Sequence, residues 1–180
     1  LGGDGVGVLS VVQVTYLNRG LASLPGFYAV GGMYDSSRFS RVSDAGGSET
    51  GNAGVYAMFQ QMVYRDGGPG SQQGLTLWGE VAMTPRQSVS PLPWFGGGGL
   101  SYQGLVPGRE SDVASLGVIH GAFSRDLRGT TAETVVEANY QLFLTGGLSI
   151  MPDLQYVIRP GGDRSIKNAL LLGAQVAISF

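Results

Sequence analysis

Apolar and polar residues alternate one by one along most of this chain, and the pattern is clearest near its end. From Leu148 to Arg159 one face carries Leu148, Ile150, Pro152, Leu154, Tyr156 and Ile158, and the other Ser149, Met151, Asp153, Gln155, Val157 and Arg159. After Pro160–Arg164 the alternation resumes, with Leu170, Leu172, Ala174, Val176, Ile178 and Phe180 opposite Ala169, Leu171, Gly173, Gln175, Ala177 and Ser179. A period of two is the signature of a strand, not of a helix. A soluble sandwich also alternates, but its strands are about 5 to 6 residues long. A run such as 170–180 has the roughly 9 to 11 residues that a tilted strand needs to cross a bilayer.

Similar runs fill the rest of the chain and predict about nine strands. They cover Val6–Tyr16, Gly26–Phe39, Gly54–Arg65, Gln73–Thr84, Gly97–Val106, Val113–Ser124 and Ala132–Thr145, followed by the two above. The aliphatic face carries Val8, Val12, Val14 and Tyr16, then Tyr28, Val30 and Tyr34, then Leu75, Leu77, Val81 and Met83, and later Val136, Ala138 and Leu142. The charges Asp35, Glu80, Glu137, Asp153 and Arg159 fall on the opposite face. The pair Gln60 and Gln61 puts one amide on each face and predicts a β-bulge or an interface position. Ser40–Asn52, rich in Ser, Gly, Asp and Arg, reads as a surface loop.

No helical run separates any two strands, so consecutive strands are expected to be antiparallel neighbours. If Thr145–Gly147 is the tightest turn, counting backwards puts 35–53 on the side where outer-membrane barrels keep their long loops. The same count gathers Tyr16, Tyr28, Tyr64 and Phe180 at one rim and Tyr34, Tyr56 and Tyr156 at the other, as in two interfacial aromatic girdles. The fold predicted is all-β, an antiparallel transmembrane β-barrel.

Composition narrows the function classes. Of 180 residues 43% are hydrophobic, yet Gly, Ser, Gln and Pro interrupt every apolar stretch before the roughly 20 residues that a membrane helix requires. The 31 Gly and 8 Pro favour turns and crowded sheet positions over helices. With 0 Cys there is neither a disulfide framework nor a thiolate metal site. A net charge of −2 gives no basic excess for nucleic acid. No signal peptide precedes Leu1, so the expectation is that one has been removed or that the true start lies upstream.

Four stretches carry a family resemblance: Pro25-Gly-Phe-Tyr-Ala-Val-Gly-Gly-Met-Tyr-Asp35, Gln61-Met-Val-Tyr-Arg65, Gly98-Gly-Leu-Ser-Tyr-Gln-Gly-Leu-Val-Pro-Gly-Arg109 and Pro152-Asp-Leu-Gln-Tyr-Val-Ile-Arg-Pro-Gly-Gly162. Together they resemble the C-terminal half of carbohydrate-selective porins of the OprB family. The resemblance implies a Gram-negative outer-membrane barrel of about sixteen strands that passes sugars by diffusion. This chain then supplies 1–180 as the C-terminal part of one barrel domain, and the remaining N-terminal part or another subunit completes it. Eight strands leave an interior filled by side chains, whereas sixteen to eighteen leave an aqueous channel.

No catalytic constellation competes with that reading. His120 is the only His and has no evident Ser or Asp partner in sequence, so it reads as a wall residue. The glycine runs 2–5 and 96–99 lack the strand, helix and Lys context of a phosphate loop. Glu133 and Glu137, four residues apart on a strand, stand about 13 Å apart, beyond the roughly 5 to 9.5 Å of a glycosidase pair. The chain is therefore not expected to be an enzyme, and no cofactor or metal is expected.

Trp78, Glu80, Glu137, Asp153, Gln155 and Arg159 are the expected pore-lining residues. Trp78 either stacks on a sugar ring or fills space. Three functions remain in view: a sugar channel, a barrel subunit that anchors a partner complex without conducting, and a soluble ligand-binding barrel. The expected partners are carbohydrate solutes, the lipid bilayer and, through Phe180, the outer-membrane assembly machinery.

Overall fold

The computed structural model describes residues 7–18, 24–43, 46–145 and 147–179. These form nine strands: β1 (Leu9–Asn18), β2 (Gly26–Ser40), β3 (Ser48–Arg65), β4 (Gly74–Met83), β5 (Trp94–Gln103), β6 (Val113–Ala122), β7 (Ala132–Thr145), β8 (Leu148–Ile158) and β9 (Ala169–Ile178). A 3-10 turn at Pro160–Gly162 stands before β9. All nine belong to one sheet in sequence order, so β1 and β9 are its edges. Every neighbouring pair is antiparallel. Phe180, expected at one aromatic rim, lies outside the described residues.

Register turns each strand's alternation into two continuous faces, because directly opposed residues share a face. Across β4 to β9 one row runs Leu77, Leu100, Leu116, Ala138, Leu154, Leu172. These large apolar groups are exposed, Leu116 at 49% and Leu154 at 42%. A sheet that leaves one whole face apolar and uncovered is built to meet lipid. The charged residues of the same strands, Glu80, Glu133, Glu137 and Asp153, all lie on the other face.

The hairpin connections 66–73, 104–112 and 146–147 share one rim with the β1–β2 connection, and 41–47, 84–93, 123–131 and 159–168 share the other. The first is the short-turn rim and the second the long-loop rim. Aromatic rings collect on the apolar face near the short-turn rim. Tyr16 and Tyr28 are 6.2 Å apart, Tyr28 and Phe59 6.4 Å, and Tyr64 and Tyr102 6.4 Å.

Several boundaries differ from those predicted. The segment 40–52 is strand at both ends, at Ser40 and from Ser48 onward, for Arg38, Phe39 and Ser40 pair with Thr50, Glu49 and Ser48 beyond a register shift after Asp35. Backbone pairing beyond a bilayer needs no apolar face, so this extension leaves no hydrophobic signature. β5 begins at Trp94, immediately after Pro93, three residues earlier than the apolar pattern suggests. The irregularity near Gln60 and Gln61 lies between Met62 and Tyr64. Tyr56 is not a girdle residue: it pairs with Gly31 on the polar face, where its hydroxyl donates to Gln13 Oε1 at 2.7 Å.

Candidate functional site

One row of the polar face crosses seven strands, β2 to β8: Phe27, Gln60, Trp78, Gly99, Gly117, Glu137, Gln155. The two glycines sit directly beside Trp78, and their missing side chains are what its ring occupies. A Cβ on Gly117 would stand 2.7 Å from Trp78 Cζ2, and one on Gly99 2.9 Å. The half-buried indole is thereby laid across the wall over two neighbouring strands.

Glu137, at the far end of this shelf, is held through both oxygens. Asn139 Nδ2 donates to Oε1 at 2.9 Å and Gln155 Nε2 to Oε2 at 3.0 Å. Trp78, Ser115, Gly117, Ile119, Glu137 and Asn139 line a cavity of about 160 Å³ between the indole and the carboxylate. An aromatic shelf beside a fixed acceptor offers stacking and hydrogen bonding to the same small polar solute.

The expected site residues do not all gather here. Trp78, Glu137 and Gln155 lie in one row. Glu80 is on the same face two residues from Trp78, opposite Met58 and Gly97. Asp153 faces Asn139 on one side and leans over Gly173 on the other. Arg159 departs from the strand pattern, since β8 stops at Ile158 and Arg159 has φ 56, opening the turn at the long-loop rim. It is exposed, and its backbone N–H donates to Asn168 Oδ1 at 3.1 Å.

Asn139, Gly99 and Gly117 were missed. Their inward parity is legible in sequence, but only cross-strand register shows that they abut Glu137 and Trp78. His120 lies on the apolar face instead, its Nδ1 2.7 Å from Thr134 Oγ1 and its ring 5.7 Å from that of Trp94. It sits near the long-loop rim as an interfacial group.

The long-loop rim also leans over the polar face. In the 84–93 loop, Leu92 packs where a side chain on Gly121 would stand. The loop is tied down by Arg86 Nη1, which donates to Thr50 O at 2.9 Å and Gly51 O at 2.5 Å, and by Asn52 Nδ2, which donates to Ser90 Oγ at 3.0 Å. On its other side the fully buried Ser124 donates through Oγ to Gln87 O at 2.7 Å.

A nine-stranded antiparallel sheet with an exposed apolar face, an interfacial aromatic belt and all mid-strand charge on the opposite face defines part of the wall of an outer-membrane porin. The chain belongs to the OprB family of carbohydrate-selective porins, whose pattern matches residues 1–180. Its place is the outer membrane of a Gram-negative cell. Porin B of Pseudomonas aeruginosa is 24% identical over 209 residues, a match covering 97% of this chain and 46% of that protein. The structure of Pseudomonas putida OprB at high pH superposes with a TM-score of 0.88 at 22% identity, covering 97% of this chain and 49% of that one. The chain thus spans about half the length of these relatives, and its nine strands are part of a larger barrel.

Proposed function

We propose that the completed barrel passes carbohydrates by passive, selective diffusion, and that Trp78 and Glu137 form the contact in this half of the lumen. The observation that carries the reading is the indole laid over Gly99 and Gly117 beside a carboxylate held on both oxygens. A sugar ring has apolar C–H faces and a hydroxyl rim, so an indole face and a fixed acceptor match its two surfaces. Glu80, Asp153 and Gln155 supply further polar groups along the same face, and Arg159 adds a cation at the long-loop mouth. Each contact replaces part of the sugar's hydration, and each stays weak enough for the solute to leave. The solute crosses unchanged, and no catalytic step is assigned to the wall.

Liposome swelling with the full-length protein tests this. Glucose is expected to enter faster than an amino acid of similar size, and Trp78→Ala with Glu137→Gln should remove the preference while leaving heat-modifiable migration intact. Equal entry of both solutes through the parent protein would overturn the reading.

A further inference from the structure

A second cavity, of about 410 Å³, opens on the polar face between the Trp78 row and the short-turn rim. Phe27, Gln60, Met62, Gln72, Thr76 and Gln103 line it, with Leu17, Pro25 and Gly26 closing one side. The five of these that lie on strands with Thr76, namely Phe27, Gln60, Met62, Thr76 and Gln103, all belong to the polar face. Met62, 6% exposed, is the floor. The volume lies within the roughly 300–1,000 Å³ of small-ligand sites.

The lining has a definite chemistry. It holds three primary amides and one hydroxyl but no charged side chain. An amide offers both a donor and an acceptor, as does each hydroxyl of a sugar. A carboxylate or ammonium solute would leave water here without a counter-charge, which is costly. Phe27 and Met62 supply the apolar surface that a pyranose C–H face needs. Gln60 stands directly opposite Trp78 in register, so the cavity adjoins the row that carries the indole. The Gln103 side chain is steadied by Nε2 donating to Glu110 O at 3.4 Å.

From this arrangement we infer a second carbohydrate subsite, selective for uncharged sugars and placed on the short-turn side of Trp78. It rests on the reading of the barrel as a sugar channel. A solute released by the indole meets the amides of Gln60, Gln72 and Gln103 next, so the two sites act in series.

The experiment measures the reduction of ion current by glucose and by glucuronate, added to either side of the full-length protein in planar bilayers. Gln60→Leu and Gln103→Leu remove amides at similar size, and Gln72→Ala changes only an exposed turn residue should a strand variant fail to fold. Each variant is expected to bind glucose about fivefold more weakly, with the larger effect from the short-turn side. Glucuronate block should be unaltered, and the loss should add to that of Trp78→Ala. Parent-like glucose block in all three variants would overturn the second subsite and leave the channel reading standing. A parent protein that shows no glucose block at all would overturn both.

Discussion

Rings laid over glycines recur on both faces of this wall. Trp78 covers Gly99 and Gly117, Phe59 covers Gly79 on the apolar face, and Tyr56 covers Gly31 on the polar one. Strand glycines lose packing and conformational entropy, and a neighbouring ring restores contact area. The two glycines under Trp78 should nevertheless respond differently to Ala. At Gly117 the new methyl crowds the indole, while the Gly98 carbonyl oxygen stands at an ordinary 3.7 Å, so Gly117→Ala should fold and lose sugar affinity as the ring is pushed off the wall. At Gly99 it also meets the Leu116 carbonyl oxygen, so Gly99→Ala should reduce the yield of heat-modifiable barrel. Facing is testable on adjacent residues. Leu154→Arg should cost about 2–4 kcal/mol in folding into liposomes if Leu154 lies near the bilayer midplane, and Gln155→Arg far less; equal costs would mean that the two faces are assigned the wrong way round.

The β5–β6 hairpin shows how an element is fastened at the short-turn rim. Asp112, 2% exposed, accepts from Arg109 Nε at 2.6 Å, Tyr140 Oη at 3.1 Å and the Phe143 N–H at 2.9 Å. Burial by itself would raise this carboxyl, but the Phe143 N–H, Arg109 and Tyr140 outweigh it and hold its pKa below the ordinary 3.8. A depressed carboxyl adds stability above its unfolded pKa and loses it as pH falls through the folded one. Thermal unfolding in detergent should therefore be insensitive to this group near neutral pH and weaken below about pH 4. Asp112→Asn should lower the transition temperature at neutral pH and reduce that acid sensitivity. None of this was legible beforehand, because a turn carboxylate followed by a strand reads as ordinary loop chemistry. The strand faces were legible from Leu148 to Ile158 and from Leu75 to Met83, where lipid on one side and water on the other force a period of two. Alternation yields the parity of Gly117, Asn139 and Glu137 but not their adjacency, and it says nothing of Arg159, where the backbone turns left-handed. The residues 48–50, Ser-Glu-Thr, have polar side chains on both faces and so carried no strand signal.

At the scale of the barrel, turns and loops sort to two sides of a membrane. Because the chain has 0 Cys, Ser165→Cys in the 159–168 loop and Gly68→Cys in the 66–73 turn can be compared directly. An impermeant maleimide on intact cells should label the first, and the second only after the envelope is opened; the reverse pattern would invert the topology. The long-loop rim also carries the loop that leans over the polar face, and its ties have an electrical consequence. Arg86 grips two carbonyl oxygens of β3, Asn52 holds Ser90, and Ser124 holds Gln87. A mouth fastened on both flanks is an aperture of constant width, so the open-channel current should be quiet, with little excess noise at frequencies where a loose loop would sweep the ion path. Arg86→Ala, which frees one flank, should turn that steady current into a flickering one at nearly the same mean conductance.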